Sequence, residues 1–268
     1  FQLAAISTVW DVVDLVDENR IIVKKGLELL NKSENYGIQE LKKATLLNDK
    51  KIEEYHLGFV IGPCINATGR LETADLSVEL LITKDRERAK VLANQLSELN
   101  TVRQDLTKES TERIINRIEV EKNKSDKVIV VYDENVHESI AGIIAGKIRD
   151  RYYRPTIILT KAEDGVKGSG RSTEEYDMFT ELCKCQALFT KFGGHRQAAG
   201  VSLKEENVQR FRETINSLCT LTEEDLQMKV YIDMQVPFPY LTEDLIEQFH
   251  QFFFLYQRYA RPQLSRPY

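Results

Sequence analysis

The sequence predicts an α/β fold in which a helical zone leads, through one long helix, into a strand–helix–strand unit. Up to about residue 82, apolar residues recur at the spacing of helices. Residues 86–121 contain no Gly or Pro and keep an approximate heptad-like apolar stripe. After a polar break, the apolar pattern changes to short continuous runs that are typical of buried strands. These three observations define the fold class.

The helical zone contains three segments with helical periodicity, which are ENRIIVKKGLELL, GIQELKKATLL and ADLSVELLI. The segment 86–121 follows as one long helix, or as two helices in near-continuity. At about 1.5 Å per residue it would span about 50 Å, which is long enough to link two domains. We therefore predict that this helix is the domain connector.

The strand–helix–strand unit consists of KVIVVYD, ESIAGIIAGKIRDRY and RPTIILTK, an order that implies a parallel pair of strands. A glycine-rich stretch, GVKGSGRS, comes next and is expected to have a flexible backbone. It is followed by a helical segment, DMFTELCKCQALF, a strand in AAGVSLK, and a helix from about Glu205 to Cys219. A last zone from about Gln227 begins as a strand in KVYIDMQVPF.

Composition indicates a globular chain of about two domains, with 268 residues of which 42% are apolar. Lys and Arg total 37 against 42 Asp and Glu, so the net charge is −5 and any binding of nucleic acid must be local. The four cysteines match neither a disulfide scaffold nor a paired zinc motif, which favours a cytoplasmic protein. No apolar run approaches the roughly 20 residues of a membrane span. Because the chain opens inside an apolar run, FQLAAISTVWDVVDL, we expect it to be the rear part of a longer protein.

The stretch KFGGHRQAAG allows two interpretations. Gly193 and Gly194 permit positive φ, and Ala198, Ala199 and Gly200 allow two backbones to approach closely, as in a tight turn. A turn does not explain the next two residues, His and Arg, which can both donate to an anion. The stretch is therefore either a turn or an anion-binding loop.

Two further stretches combine glycine with arginine. IGPCINATGR has no clear apolar periodicity, so it is either a loop between helices with Asn66 as a cap or a site that presents Arg70. GSGRS places Arg171 and Ser172 behind two glycines, which offers a forked phosphate donor and a hydroxyl. Taken alone, each pattern is a weak indication of function.

Asp11 is a carboxylate within the apolar stretch STVWDVVDL. Such a group must be exposed at one edge, paired with a cation or bound to a metal. A helix cap or an ion pair is the simpler interpretation. A metal ligand remains the alternative.

The four stretches together resemble the RecJ family, single-strand-specific 5′→3′ exonucleases of the DHH phosphoesterase superfamily. The matching motifs are, in order, T-V-x-D-V-V-x-L, P-x-I-N-A-x-G-R-L, G-S-G-R-S and F-G-G-H-x-x-A-A-G. The last motif is shared across the superfamily, and the other three narrow the resemblance to RecJ. It covers roughly residues 1–235.

The resemblance implies four regions. Residues 1–84 would be the C-terminal part of a DHH catalytic domain, and residues 85–124 the long connecting helix. Residues 125–224 would be an α/β DHH-associated, substrate-binding domain. Residues 225–268 would be the start of an OB-type β domain, truncated or altered.

The resemblance also implies a site. The family binds two Mn²⁺ or Mg²⁺ ions, and Asp11 corresponds to its last metal-binding aspartate. His195 and Arg171 would be the catalytic residues, holding a DNA phosphate against the metals, as two-metal hydrolysis requires. The residues expected to contact the DNA or its phosphates are Asn66, Arg70, Arg171, Ser172, Gly193, Gly194 and His195.

The implied activity is hydrolysis of single-stranded DNA from a 5′ end in DNA repair and recombination. A single-strand-binding protein and a helicase are implied as candidate partners. Two other functions stay open. One is a non-catalytic module that binds nucleic acid or a partner, and the other is a DHH phosphodiesterase of short oligonucleotides or cyclic dinucleotides.

The sequence departs from the family in three places. The D-x-D and D-H-H motifs do not occur in it, so all but one of the expected metal ligands are missing and the chain alone should be inactive. In VHESIAG, Val136 and Ser139 replace a Trp and a Gly, and His137 is expected to be structural. The tail FFFLYQRYARPQLSRPY has no OB-type turn and is either a disordered truncated end, a shifted reading frame or a basic aromatic DNA contact. The residues of that contact would be Tyr256, Arg258, Tyr259, Arg261 and Arg266.

Overall fold

The computed structural model describes residues 1–121, 125–230, 232 and 235–253, with the backbone alone for 249–253. The chain divides into two compact units. The first unit comprises Phe1–Thr101 with Lys229–Tyr268, and the second unit comprises Val102–Met228. The aromatic and basic tail residues from Tyr256 to Arg266, proposed above as a DNA contact, lie outside the described residues.

The first unit is helical, as the periodicity predicts. Its helices are α1 (Gln2–Trp10), α2 (Asp17–Leu30), α3 (Tyr36–Ala44), α4 (Glu54–His56), α5 (Gly62–Leu71), α6 (Asp75–Ile82) and the first part of α7 (Arg86–Val120). A π-helical turn, Leu57–Ile61, joins α4 to α5. The core is built mainly from aliphatic side chains of these helices, such as Leu27, Leu41 and Leu92.

Close helix contacts in the first unit depend on small and capping residues. A Cβ on Gly26 of α2 would lie 2.2 Å from the Ala5 Cβ of α1, so glycine permits the two helices to touch. Asn35 caps α3, because its Oδ1 accepts from Ile38 N at 3.0 Å. Its Nδ2 donates to Leu81 O at 2.8 Å and so ties the start of α3 to α6.

The interpretation of IGPCINATGR as a loop capped by Asn66 is wrong, because the stretch forms helix α5. Cys64, Ile65 and Thr68 are buried, at the three- and four-residue spacing of a helix face. Thr68 Oγ1 lies 2.8 Å from Ser77 Oγ and so links α5 to α6. Small and polar residues occupy the buried face, which conceals its periodicity from an apolar count.

The second unit contains one sheet, whose strands in the described part of the chain are ordered β1-β2-β3-β5-β4. They are β1 (Ile129–Tyr132), β2 (Thr156–Ala162), β3 (Gly165–Arg171), β4 (Phe189–His195) and β5 (Ala198–Leu203). The helices are the end of α7, then α8 (Glu138–Tyr152), α9 (Met178–Cys183) and α10 (Val208–Leu218). The predicted parallel pair, β1 and β2, is confirmed, and the other neighbouring strands are antiparallel.

The glycine-rich GVKGSGRS is strand β3, so the expectation of a flexible stretch is wrong. Its glycines serve close packing. A Cβ on Gly168 would lie 2.4 Å from Leu159 Cδ2, and one on Gly170 would lie 3.2 Å from Met178. The stretch KFGGHRQAAG is likewise not a glycine turn, because Gly193 and Gly194 belong to β4 and Gly200 belongs to β5.

The two faces of the sheet belong to different cores. One face packs against α9 and α10, with Phe211 and Ile215 among the buried residues. On the other face, α8 and the end of α7 cover β1 and β2. Ile114 and Ile118 of α7 are fully buried there. Helix α7 is one continuous helix of 35 residues, as predicted.

The predicted strand in KVYIDMQVPF, the expected start of an OB-type domain, is not confirmed. Its described residues, at positions 229, 230, 232 and 235–238, carry no strand, and its other positions lie outside the described residues. A short 3₁₀ turn, Phe238–Tyr240, and helix α11 (Glu243–Phe253) follow.

Over the part of the chain that the structure describes, none of the helices combines the length and the apolar character needed to cross a membrane. The four cysteines are free thiols. Cys64, Cys185 and Cys219 are buried and Cys183 is half-buried. Burial raises the pKa of Cys185 to about 11 and also raises the pKa of Cys219, so both are unreactive as thiolates at neutral pH.

An ion pair between a buried carboxylate and a partly exposed arginine ties α7 to the residue that follows β1. Asp133 is 6% exposed, and its Oδ2 accepts from Arg113 Nε at 2.7 Å. Burial raises the pKa of Asp133, but hydrogen bonds from Arg113 and from Asn135 N, with the charges of Arg113 and Arg117, bring the pKa below its ordinary value. The folded state is therefore stabilised by ionised Asp133 above pH about 4, the unfolded pKa, and loses that stabilisation as pH falls through the folded pKa.

We expect Asp133→Asn to lower the free energy of unfolding at pH 7 by about 1 to 2 kcal/mol, because one charged hydrogen bond with a partly exposed arginine is lost. The gap to the unaltered chain should narrow at pH 3.5. Urea unfolding followed by circular dichroism measures both values. Asp150→Asn, which removes an exposed partner of Arg149, is the control and should change little. An equal gap at both pH values would contradict the assignment.

Candidate functional site

The motif residues of the second unit converge on one half of a sheet face. In the sheet register, Ala198 of β5 pairs with Arg171 of β3 on one side and with His195 of β4 on the other. Paired residues point to the same face, so all three side chains share it. Two strand spacings place the Arg171 and His195 backbones about 10 Å apart.

The next row along the same face consists of Ser169, Gly200 and Gly193, and the row after it of Lys167, Ser202 and Lys191. We call these two rows, together with the first row of Arg171, Ala198 and His195, the open sheet face. A Cβ on Gly193 would have no atom within 4 Å, and one on Gly200 would meet only Gly168 O, at 3.9 Å. The centre of the open sheet face is therefore a flat floor that the backbone of a ligand can approach closely.

Arg171 lies at the border between the floor and helix α8. Its Nη1 donates to Gly170 O at 2.8 Å and to Ser169 Oγ at 3.1 Å. The guanidinium passes over Gly142 of α8, where a Cβ would lie 2.7 Å from Nη2. Glycine at position 142 thus makes room for the guanidinium, and sequence reasoning did not identify this residue. A forked guanidinium held in this way suits a phosphate or carboxylate ligand.

His195 ends β4 and is exposed. Its Nδ1 accepts from the backbone N–H of Gln197 at 3.3 Å. In the neutral ring, this contact assigns the proton to Nε2, on the side of the ring away from the turn. His195 can therefore donate to an anion in either protonation state.

The chain after β3 and the turn between β4 and β5 are joined by backbone hydrogen bonds. Ser172 N donates to Gln197 O and Met178 N donates to Arg196 O, both at 3.0 Å. The Arg196 guanidinium, a candidate anion donor from the sequence, donates to Glu174 O at 2.7 Å. These contacts fix the ends of β3 and β4 relative to each other.

Ser172 is buried, with 1% of its surface exposed. Its Oγ donates to Tyr176 O at 2.6 Å, so the hydroxyl proton is committed to the protein. The geometry gives Ser172 a role in shaping the chain after β3 and argues against a direct contact of its side chain with phosphate.

His137 has the structural role expected from the sequence. It is the N-cap of α8, and its Nδ1 lies 2.7 Å from Ser139 Oγ. Ser139, which replaces a glycine of the family pattern, thus forms a hydrogen bond with the capping histidine. Val136, the other departure, is buried against α8 and the sheet.

Lys167 and Lys191 add positive charge at the far end of the open sheet face. Lys167 Nζ lies 3.0 Å from Glu138 Oε2, and this hydrogen bond and the Glu138 charge raise the pKa of Lys167. Lys167 is therefore partly neutralised, and Arg171 and Lys191 dominate the positive charge of the face.

Asp11 follows the last residue of α1 and is exposed. A carboxylate at the negative end of a helix is unfavourable unless a cation is near. The next residue, Val12, has φ of 55°, which is rare for a β-branched residue and is found at functional sites. Asp11 can supply one metal ligand. No group of three potential His, Cys, Asp or Glu ligands occurs among the residues that the structure describes.

Asn66 and Arg70 lie four residues apart on α5 and therefore on one side of that helix. Both are half-buried. They belong to the first unit with Asp11, whereas Arg171, Ser172, Gly193, Gly194 and His195 belong to the second unit.

Gly193 and Gly194 form a matched pair, because they are neighbours that point to opposite faces of the sheet. Gly194 has φ of 154°, and a Cβ there would lie 2.4 Å from Ala198 O and 2.7 Å from Ala199 Cβ. We expect Gly194→Ala to lower the free energy of unfolding by about 1 to 3 kcal/mol through strain and overlap. Gly193→Ala should leave stability nearly unchanged, as judged by thermal melts.

For ligand binding we expect the opposite order, in which Gly193→Ala has a larger effect than Gly194→Ala. A methyl group on Gly193 stands on the floor of the open sheet face, so Gly193→Ala should weaken binding of a phosphate ligand while the protein remains folded. If Gly193→Ala destabilised the protein as much as Gly194→Ala, the assignment of the two faces would be wrong.

The DHHA1 domain family matches residues 125–221, a range that contains the whole sheet. The single-stranded-DNA-specific exonuclease RecJ of Bacillus subtilis is 39% identical over 227 residues, which cover 83% of this chain and 29% of that protein. The RecJ of Escherichia coli is 34% identical over 227 residues, covering 81% of this chain and 39% of that protein.

Two solved structures are similar in fold. The crystal structure of RecJ from Thermus thermophilus in complex with Mg²⁺ has a TM-score of 0.82 at 28% identity, covering 96% of this chain and 39% of that chain. A crystal structure of exonuclease RecJ bound to manganese has a TM-score of 0.70 at 29% identity, covering 81% of this chain and 53% of that chain. This chain therefore belongs to the RecJ family, and it spans less than half the length of the curated relatives that it matches.

Proposed function

We propose that this chain is part of a single-stranded-DNA-specific 5′→3′ exonuclease of DNA repair and recombination, and that its open sheet face binds a phosphate of the DNA. The observation that carries this proposal is the row Arg171, Ala198, His195 beside the bare floor of Gly193 and Gly200. Two donors flank a surface that carries only the Ala198 methyl group and the two glycines, which suits a sugar–phosphate backbone.

Arg171 and His195 would act by binding and orientation. The guanidinium, already aligned by Ser169 and Gly170, would donate to two oxygens of one phosphate. His195 would donate from Nε2 to the same phosphate and offset charge that develops on it during hydrolysis. Gly193 and Gly194 would contribute floor and strand geometry respectively, and Ser172 would hold the chain after β3.

Asn66, Arg70 and Asp11 would contribute from the first unit, with Asn66 and Arg70 contacting DNA. RecJ structures in complex with Mg²⁺ or Mn²⁺ support a requirement for these ions, and two such ions would activate water and stabilise the departing oxygen. Asp11 would supply one of their ligands. The described residues do not supply the remaining ligands, so phosphate binding and orientation are the roles proposed for this chain.

The four regions implied by the sequence remain our proposal for the domain organisation, with boundaries at 84, 124 and 224. The continuous helix α7 and the DHHA1 match at residues 125–221 support the two middle regions. We also propose action in the cytoplasm, supported by four free thiols, and cooperation with a single-strand-binding protein and a helicase.

A non-catalytic DNA-binding module is the second candidate function. The observation that favours it is that the described residues hold no cluster of three potential metal ligands. The chain alone would then bind DNA ends without cutting them, which is also what we expect of an exonuclease part. A DHH phosphodiesterase of short oligonucleotides would use the same open sheet face with a preference for dinucleotides.

We expect His195→Ala and Arg171→Ala each to weaken binding of a 5′-phosphorylated thymidine dinucleotide by about 10- to 150-fold, the value of one hydrogen bond to a charged group. Arg171→Lys should recover part of the loss, because an ammonium group cannot reproduce a forked contact. Isothermal titration calorimetry measures the affinity, and melting temperatures should remain nearly unchanged.

Arg210→Ala is the matched control, because Arg210 is an exposed arginine on α10, which packs on the other face of the sheet. It should bind the dinucleotide like the unaltered chain. The same dinucleotide without its 5′ phosphate should bind weakly to all variants. Unchanged affinity in a folded His195→Ala protein would return KFGGHRQAAG to a purely structural role.

We expect the purified 268-residue chain to show no Mn²⁺-dependent degradation of single-stranded DNA, because a single aspartate does not hold two cations.

In a complete protein, Asp11→Asn should weaken metal binding and reduce turnover more than DNA affinity. Single-turnover cleavage of a labelled oligonucleotide measures the degradation by the chain alone and the turnover of the Asp11→Asn protein. Clear digestion by the chain alone, or full turnover of the Asp11→Asn protein, would contradict the metal assignment.

A further inference from the structure

We propose that the groove between α7 and α8 in the second unit binds the phosphates of a single strand beyond the nucleotide held at the open sheet face. This inference rests on the proposed function, since it extends the path of the same ligand. It assigns a binding role to Lys108 and Lys147, which none of the motifs includes.

The groove has a volume of about 430 Å³ and is formed within the second unit by α7 and α8. Three cationic side chains line it, Arg103 and Lys108 from α7 and Lys147 from α8, against one carboxylate, Glu112. The chain as a whole has a net charge of −5. A local excess of positive charge on an acidic protein indicates an anionic ligand.

The groove has firm walls. Further along α7, Ile114 and Ile118 are fully buried against the sheet and α8. The Arg113–Asp133 ion pair fixes the same helix to the end of β1. The lysines thus project from two helices that share one core, so their spacing is set by the fold rather than by a mobile loop.

Helix α8 connects the groove to the open sheet face. Its Gly142 lies under the Arg171 guanidinium, and the next residue, Ile143, lines the groove. Gly146 follows one turn later, next to Lys147, and a Cβ there would meet no atom within 4 Å. The surface of α8 between the two sites therefore carries no side chain at positions 142 and 146.

Among the residues that the structure describes, none makes a close contact that requires glycine at position 146. A glycine inside a helix is unfavourable relative to alanine, and glycines usually offset this by permitting a close contact. The described residues leave the space over Gly146 open, so a close contact there is available to a ligand. A sugar–phosphate backbone that crosses α8 from Arg171 to Lys147 would pass over this position.

Single-stranded DNA is favoured over a protein partner by the composition of the groove. Its lining is dominated by cationic and hydroxyl or amide side chains, and Ile143 is its aliphatic member. Protein interfaces have apolar cores with few charges, whereas strand-binding tracks combine cations with small residues. An acidic peptide is the competing occupant that the experiment must exclude.

The test compares the 268-residue chain with Lys108→Gln/Lys147→Gln, Gly146→Ala and Arg171→Ala variants. The probes are a 5′-phosphorylated 12-nucleotide oligothymidylate, followed by fluorescence anisotropy, and the corresponding dinucleotide, followed by calorimetry. The lysine variant should weaken binding of the 12-mer and lower its salt slope by about 0.7 for each lysine removed. Its affinity for the dinucleotide should be unchanged. Gly146→Ala should raise the melting temperature and yet weaken binding of the 12-mer.

Lys161→Gln is the control, because Lys161 is exposed at the end of β2 and its strand position points it to the opposite face of the sheet. If the groove variants bound the 12-mer like Lys161→Gln while Arg171→Ala weakened both probes, the groove would be excluded and the proposed function retained. If the unaltered chain bound neither probe, both would fail. Equal competition by polyglutamate and by the 12-mer would overturn DNA as the occupant.

Discussion

The backbone pairing of β5 with β3 on one side and β4 on the other is the constraint on which the candidate site depends. Ala198 is the common partner of Arg171 and His195, residues that are 24 positions apart in sequence. A slip of one residue in either pairing would turn one of the two side chains to the opposite face. The hydrogen bonds from Ser172 N to Gln197 O and from Met178 N to Arg196 O fix the pairing at the end where the site lies.

Glycine serves two different purposes in this sheet. On the face that packs against α9 and α10, Gly168, Gly170 and Gly194 leave room for neighbouring atoms that a Cβ would overlap or crowd. On the open sheet face, Gly193 and Gly200 border open space. Packing explains the first group, and access for a ligand explains the second. Because strand residues alternate between faces, neighbouring glycines such as 193 and 194 have unrelated roles.

The helices and the β1–α8–β2 unit could be predicted from apolar periodicity, because their buried faces carry aliphatic side chains. Strands β3 and β4 could not, since glycine has no side chain to show alternation and GSGRS and FGGH resemble flexible turns. Helix α5 was missed because Cys64 and Thr68 occupy its buried face. The motifs identified Arg171 and His195 but not Gly142, whose importance arises only from the packing of α8 on β3. The inward direction of the Ser172 hydroxyl was equally inaccessible, because it depends on the chain after β3.

The central claim is that one phosphate binds between Arg171 and His195 above Gly193 and Gly200. A crystal structure of the chain with a 5′-phosphorylated dinucleotide tests this claim most directly. The account predicts phosphate oxygens within hydrogen-bonding distance of both the Arg171 guanidinium and His195 Nε2, with the sugar over the glycine floor. A dinucleotide bound elsewhere on the chain, with the open sheet face occupied only by solvent, would contradict it.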